Sequence, residues 1–267
     1  MSEGAILQRD GDRVLPSAHA AGPWREDAQH GGVPAALMAA LAEEAMAEET
    51  GDWQLLRLSL ELPRPVPMAP LRYRITQEGG RSVRRVRMAL LDAEERVAAE
   101  GLALLHRRGD AEAVPAFGAE QAAPAVPSPE ACTKRAGFGG MPDRPAFHAT
   151  GMQILLADGS DDGPGLATAW LRPAMPILSD RSDSSAMRAC AAADFGNGLS
   201  WETPFADYAF ANSDLTVFLH RPPEGDWVGL DARTRIEPGG TGQARSTLFD
   251  ARGAFGMGVQ NLMVFRR

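Results

Sequence analysis

The sequence predicts an α+β protein in which one pattern, a buried helix followed by an antiparallel sheet, occurs twice in tandem. Three observations carry this. First, landmarks recur at a near-constant offset. The Arg-Pro pairs at Arg64 and Arg221, the Gly-Gly pairs at Gly79 and Gly239, the turn residues Asp92 and Asp250, and the Arg-Arg pairs at Arg107 and Arg266 lie 157 to 160 residues apart. Self-similarity at a fixed offset signals internal repetition. Second, each copy has an alanine-rich helix ahead of its strands, with side chains small enough for a sheet to wrap close around it. Third, the strand segments alternate apolar and polar residues, as half-buried strands do. A TIM barrel needs eight alternating units, and only two strong helices are visible. A dinucleotide-binding fold needs a strand–GxGxxG–helix unit, a spacing the Gly31-Gly32 pair lacks.

The elements follow in order. Gly31-Gly32-Val33-Pro34 opens the first helix, with proline near its first turn. AALMAALAEEAMAEE carries it to Glu49, and Gly51 stops it. Ala and Leu cover most of its circumference, the mark of a buried helix. The strand at residues 56–65 places Leu58, Leu60 and Leu62 on one face. SVRRVRMALLD and RVAAEGLALLHRR supply a hairpin that turns at Asp92. Residues 109–145 are rich in Ala, Pro and Gly and barely alternate, which predicts a linker. The expected division is therefore 1–108, 109–145 and 146–267. In the second copy Asp183 or Ser184 is the N-cap, AMRACAAAD runs to about Asp194, and FGNG at 195–198 ends the helix. The strand at 213–222 turns Leu215, Val217 and Leu219 inward. GQARSTLFD and AFGMGVQNLMVFRR repeat the hairpin, turning at Asp250.

Composition bounds the function. The chain has 267 residues, 44% hydrophobic and 23% charged, as in an ordinary globular protein. Twenty-seven Lys plus Arg stand against 35 Asp plus Glu, a net charge of −8. That balance disfavours holding a nucleic acid by bulk charge. Cys132 and Cys190 form neither a disulfide framework nor a zinc site, and five scattered histidines lack ligand spacing, so no metal or cofactor is expected. No GxSxG, HExxH or P-loop motif occurs. Residues 1–16 are polar without a signal-peptide core, and the best apolar run, 33–42, is about half a membrane span. A soluble, cytoplasmic protein is expected, with no membrane partner.

These motifs together resemble a known family. A buried helix opened by HGG, a strand ending in Arg-Pro and an R…D…V…A hairpin are similar to the hotdog fold. Two copies in one chain resemble the double-hotdog acyl-CoA thioesterases of the thioesterase II type. The second copy carries the more specific stretches: AADFGNG at 192–198, NSDLTVFLHRP at 212–222, WVGLDARTRIEPGGTGQARSTLFD at 227–250 and GVQNLMVFRR at 258–267. The resemblance implies hydrolysis of an acyl-CoA to acid and CoA, with an Asp, a hydroxyl or amide residue and a Gln holding the attacking water. Asp194 matches the Asp and Gln260 the Gln. The third position, usually Thr, falls on Asn212, which keeps hydrogen-bonding capacity but no hydroxyl proton path.

Asp194 is the expected general base, since desolvation and the negative end of a helix both favour taking up a proton. Asn212 and Gln260 would fix the water and the carbonyl. His30 and the amides of Gly31, Gly32 and Val33 would face the thioester across the interface between copies. Leu37, Met38, Leu41, Met187 and Phe195 are expected to line the acyl tunnel. Plainer roles stand beside these. Asp194 would be a solvated helix end, Gln260 a strand partner, Asn212 a turn residue, Asp214 an edge charge, His30 a structural helix-start residue and His220 a packed strand end. Arg64, Arg81, Arg84, Arg85 and Arg221 would either bind CoA phosphates or be solvated. Two other functions remain: an acyl-CoA-binding protein without turnover, and an enoyl-CoA hydratase-type lyase, which needs a His–carboxylate pair not evident near either helix. A homo-oligomer is expected.

Overall fold

Two helices built from small residues set the architecture of this computed structural model, which describes residues 4–109, 124–136, 144–159, 164–205 and 207–267. Most of the expected linker lies outside the described residues. Helix α1 (Gly32–Glu44) is buried on every side along residues 32–42. Helix α2 (Ser185–Ala193) buries Met187 and all its alanines and packs against α1. Ser184 is its N-cap, its Oγ accepting from the Met187 N–H at 3.1 Å. Asp183 does different work, accepting from the Ile177 N–H at 2.9 Å.

Helix α1 ends at Glu44, short of the expected Glu49. Beyond it the amides of Met46, Ala47 and Glu49 bond three residues back, as turns. Near this end the Arg181 guanidinium, from the second repeat, reaches the Ala40 carbonyl at 3.3 Å and the carboxylates of Glu43 and Glu44 at 3.1 Å each. In the second repeat FGNG does not simply end the helix. It continues as a short turn of helix, α3 (Gly196–Leu199).

Around the helices the strands run in chain order as β1 (Leu7–Asp10), β2 (Arg13–Pro16), β3 (Trp53–Glu61), β4 (Leu71–Gly79), β5 (Val83–Leu91), β6 (Val97–Arg107), β7 (Met152–Asp158), β8 (Ala167–Pro173), β9 (Tyr208–Asn212), β10 (Asp214–Leu219), β11 (Val228–Ile236), β12 (Thr241–Asp250) and β13 (Gly253–Arg266). Among the described residues they form one sheet ordered β1-β2-β4-β5-β6-β3-β10-β13-β12-β11-β8-β7, with β9 also on β13. The ladders between strands are antiparallel. The two copies are thus joined edge to edge at β3 and β10, where Leu58 faces Val217 and Leu60 faces Leu215. All four side chains are at most 1% exposed, so the seam is core. A bulge near Leu55 shifts the register of β3, and Leu62 lies beyond its end, half-buried. Asp214 is therefore no edge charge, because β10 lies between β3 and β13.

The β1–β2 hairpin was not anticipated, though the two-residue loop Gly11-Asp12, with φ +60° at Gly11, is an ordinary hairpin signal. It ties the copies together a second time: the Ile6 and Leu7 amides donate to the Pro176 and Ile177 carbonyls at 2.9 and 2.8 Å. Part of the expected linker does the same locally, with the Ala136 amide on the Ile154 carbonyl at 3.1 Å and the Trp170 indole N–H on the Pro127 carbonyl at 2.9 Å. Among the described residues no helix is long and apolar enough to cross a membrane.

Candidate active site

The C-terminal end of α2 meets the start of α1 over a cavity of about 340 Å³. Asp194 is the C-cap of α2 and its side chain is only 4% exposed. A carboxylate so buried needs partners, and it has three. Its Oδ1 accepts from Asn212 Nδ2 and from Gln260 Nε2, each at 2.7 Å. Its Oδ2 lies 2.8 Å from His30 Nδ1. Asn212, Gln260 and Asp194, the three positions named from the sequence, are thus brought together by β9, β13 and the end of α2 respectively. A carboxylate has about four lone-pair directions, so one remains for a water.

The strands and glycines explain the placement. Gln260 is on β13, 3% exposed, and its amide also donates to the Asp194 carbonyl at 3.2 Å while its Oε1 accepts from the Asn197 N–H at 3.4 Å. Asn212 ends β9 opposite Leu262. Asp214 stays outside this cluster: it holds the backbone and side-chain nitrogens of Asn261 at 2.8 and 3.0 Å, which steadies β13 beside Gln260. A Cβ on Gly31 would lie 2.8 Å from Asp194 Oδ2, and one on Gly32 would lie 2.6 Å from the Ala191 carbonyl oxygen. These glycines are there for room, since the helices touch backbone to backbone.

His30 was expected to touch substrate, and no carboxylate partner was foreseen for it. The structure supplies one, 164 residues away in sequence. The 2.8 Å between Nδ1 and Oδ2 is hydrogen-bond distance. The imidazole is held in place by stacking on Phe195, with centroids 4.5 Å apart, and by Phe147 at 5.2 Å.

The amides of the HGG turn divide. Gly32 N–H points at His30 Nδ1, 3.1 Å away, and Val33 N–H donates to the His30 carbonyl at 2.9 Å. Gly31 lines the cavity and its N–H donates to no other described residue. Of the expected tunnel residues only Phe195 lines the cavity. Leu37, Met38, Leu41 and Met187 are at most 1% exposed and pack in the core between helices and sheet. The apolar wall comes instead chiefly from Trp24 and Phe205 in loops and Phe210 on β9, whose rings lie 5.2 to 6.0 Å apart. Their irregular spacing gave no periodic signal. Of the remaining candidates, His220 is exposed rather than packed, Arg84 pairs with Glu49 at 2.9 and 3.0 Å, and Arg81 and Arg85 are exposed.

His148 also lines the cavity. Burial, then the charges of His30 and Arg144, push its imidazole down to about 4. It stays neutral in the folded protein while an unfolded histidine takes up a proton near pH 6.5. The unfolded state then binds more protons between about pH 6.5 and pH 4, so stability falls as the pH drops through that window and levels off below it. Thermal midpoints measured from pH 7.5 to 4 will fall less for His148→Gln than for the unaltered protein. Parallel curves would remove His148 as the cause.

Two sheets wrapped around helices and fused at β3 and β10 define a double hotdog. The chain belongs to the acyl-CoA thioesterase family: residues 20–106 match the model of the acyl-CoA thioesterase N-terminal domain and residues 120–264 that of the C-terminal domain. Solved structures share the fold. A conserved hot dog fold protein from Alicyclobacillus acidocaldarius matches with a TM-score of 0.73 at 16% identity, over 97% of this chain and 95% of that one. The tesB protein of Mycobacterium avium subs paratuberculosis matches at 0.68 and 16%, over 97% and 95%. An acyl-CoA thioesterase II from Mycobacterium marinum matches at 0.66 and 15%, over 98% and 95%. No curated protein matches the chain.

Proposed function

We propose that this protein hydrolyses acyl-CoA thioesters to the free acid and CoA, with Asp194 as general base. The observation that carries the reading is the Asp194 carboxylate, buried in the cavity wall and held by Asn212 and Gln260 with one lone pair to spare. Asp194 takes a proton from the water as its oxygen attacks the thioester carbonyl carbon. Gly31 N–H, at the positive end of α1, stabilises the resulting oxyanion. The oxyanion collapses, the C–S bond breaks, and the proton passes to the departing thiolate. Asn212 orients Asp194 by donating to it, a task an amide performs as well as a hydroxyl. The catalytic residues then belong to the second repeat, 146–267, and the oxyanion donor to the first, 1–108, with 109–145 connecting them.

The His30–Asp194 contact supports a second reading, hydration of an enoyl thioester, because it is the His–carboxylate pair such chemistry uses. One experiment separates the two. Thiol release is followed over short, long, branched and aromatic acyl-CoAs and a 2-enoyl-CoA, with blanks for Cys132 and Cys190. Release from saturated substrates is expected. A 3-hydroxyacyl-CoA formed without thiol would favour the lyase, and tight binding without turnover a binding protein.

A further inference from the structure

Arg64 and Arg221 hold equivalent places in the two repeats. Each opens an Arg-Pro pair and each approaches the hairpin aspartate of its own copy, Asp92 or Asp250. Their engagement differs. Arg221 is closed: its two terminal nitrogens donate to Asp250 at 2.6 and 2.7 Å, one also reaches the Gly253 carbonyl at 2.9 Å, and the side chain is 16% exposed. Arg64 comes no nearer to Asp92 than 3.5 Å, is 38% exposed and donates no hydrogen bond to a described residue. Asp92 has no need of it. Arg96 Nε donates to Asp92 at 2.8 Å, and the amides of Glu94 and Arg96 donate at 3.0 and 2.9 Å.

The two arginines also face different surroundings. Arg64 lies in the wall of the cavity that holds Asp194, and Arg221 does not. Arg25, the other arginine in that wall, is closed on Asp27 at 2.6 and 2.8 Å. Of the two arginines in that wall, Arg64 is thus the one without a hydrogen-bonded carboxylate among the described residues. A guanidinium that donates no hydrogen bond to a described residue is matched in geometry to a phosphate or a carboxylate.

We propose that Arg64 is the anion-binding residue of this cavity, taking an anionic oxygen group of the substrate. Two sources have that chemistry: a phosphate of the CoA carrier and a carboxylate at the far end of a dicarboxylic acyl group. The proposal rests on the thioesterase reading of the same cavity.

Arg64→Ala and Arg64→Lys are compared with the unaltered protein on four substrates: butyryl and glutaryl thioesters, each on CoA and on N-acetylcysteamine, which lacks phosphates. A phosphate partner predicts a KM for both CoA esters raised roughly 10- to 100-fold in Arg64→Ala, with kcat and the N-acetylcysteamine esters unchanged. A carboxylate partner predicts the same rise for both glutaryl esters only. In either case Arg64→Lys recovers part of the loss, and added salt weakens the unaltered protein more than Arg64→Ala. Equal KM values on all four substrates, or a fall in kcat with a lowered thermal midpoint and no change in KM, would overturn the proposal. If the unaltered protein cleaves none of the four, calorimetric binding of CoA and of glutarate decides separately. Binding lost in Arg64→Ala upholds the anion site while the hydrolase reading fails, and binding indifferent to the substitution overturns the site.

Discussion

Asp194→Asn lowers kcat for thioester hydrolysis by about 10²- to 10⁴-fold, the usual contribution of a positioned general base, while KM and the thermal midpoint change little. The substitution is nearly isosteric. The new amide oxygen can face Asn212 Nδ2 and Gln260 Nε2, which now lie 2.7 Å from Oδ1, and the new NH₂ can face His30 Nδ1 across the present 2.8 Å contact. Every buried partner therefore stays satisfied, and what disappears is the ability to accept a proton from water. The measurement is thiol release under saturating acyl-CoA, with the Cys132 and Cys190 background subtracted. A rate equal to that of the unaltered protein would remove Asp194 from the chemistry. The same assay on Asn212→Thr tests the residue at the position usually occupied by threonine. Activity that persists or rises is expected, because either side chain can donate to Oδ1.

Gly31→Ala and Gly32→Ala are expected to fail in different ways, although they are neighbours. Gly31 has φ −60° and ψ −23°, a conformation alanine adopts freely, so backbone strain is not the issue. Space is. The new methyl on residue 31 would stand 2.8 and 3.0 Å from the Asp194 carboxylate oxygens, both atoms of a side chain that can swing. Asp194 is displaced and the catalytic geometry is lost. Kcat falls at least about 10²-fold, as misplacement of a catalytic group does, with a modest change in thermal midpoint. The methyl on residue 32 would stand 2.6 Å from the Ala191 carbonyl oxygen and 3.0 Å from the Phe147 ring. Backbone cannot swing aside, so α1 and α2 must separate, which costs about 1–3 kcal/mol as overpacking does. Thermal unfolding and thiol release on both variants check this. Two variants with the same loss of midpoint and the same residual activity would contradict the distinction.

The gross organisation was legible because it depends on local chemistry repeated. Leu58-Leu60 and Leu215-Val217 alternate on strands that the structure pairs to one another. Arg64 with Asp92 and Arg221 with Asp250 recur in register, and the second pair closes in space. Alanine-rich helices with no polar face had to be buried. Errors came where tertiary contacts override local preference. AMAEE after Glu44 has good helix formers, yet it folds as turns rather than extending the helix. Leu37, Met38, Leu41 and Met187 are as apolar as any tunnel residue, and only the packing of α1 on α2 decides that they are core.

The candidate site divides along the same line. Asp194, Asn212 and Gln260 were found from short motifs, each carried by its own stretch of chain. The His30–Asp194 contact, the room kept by Gly31 and the contrast between Arg64 and Arg221 are relations between segments far apart in sequence. What the amino-acid order by itself determined is the doubled helix-and-sheet plan and the residue types available for chemistry, since periodicity, caps and turns act over a few residues. Which imidazole meets which carboxylate, which amide stays open and which arginine is left unclamped were decided only when β3 and β10 joined two sheets and brought two helix ends within hydrogen-bond distance of each other.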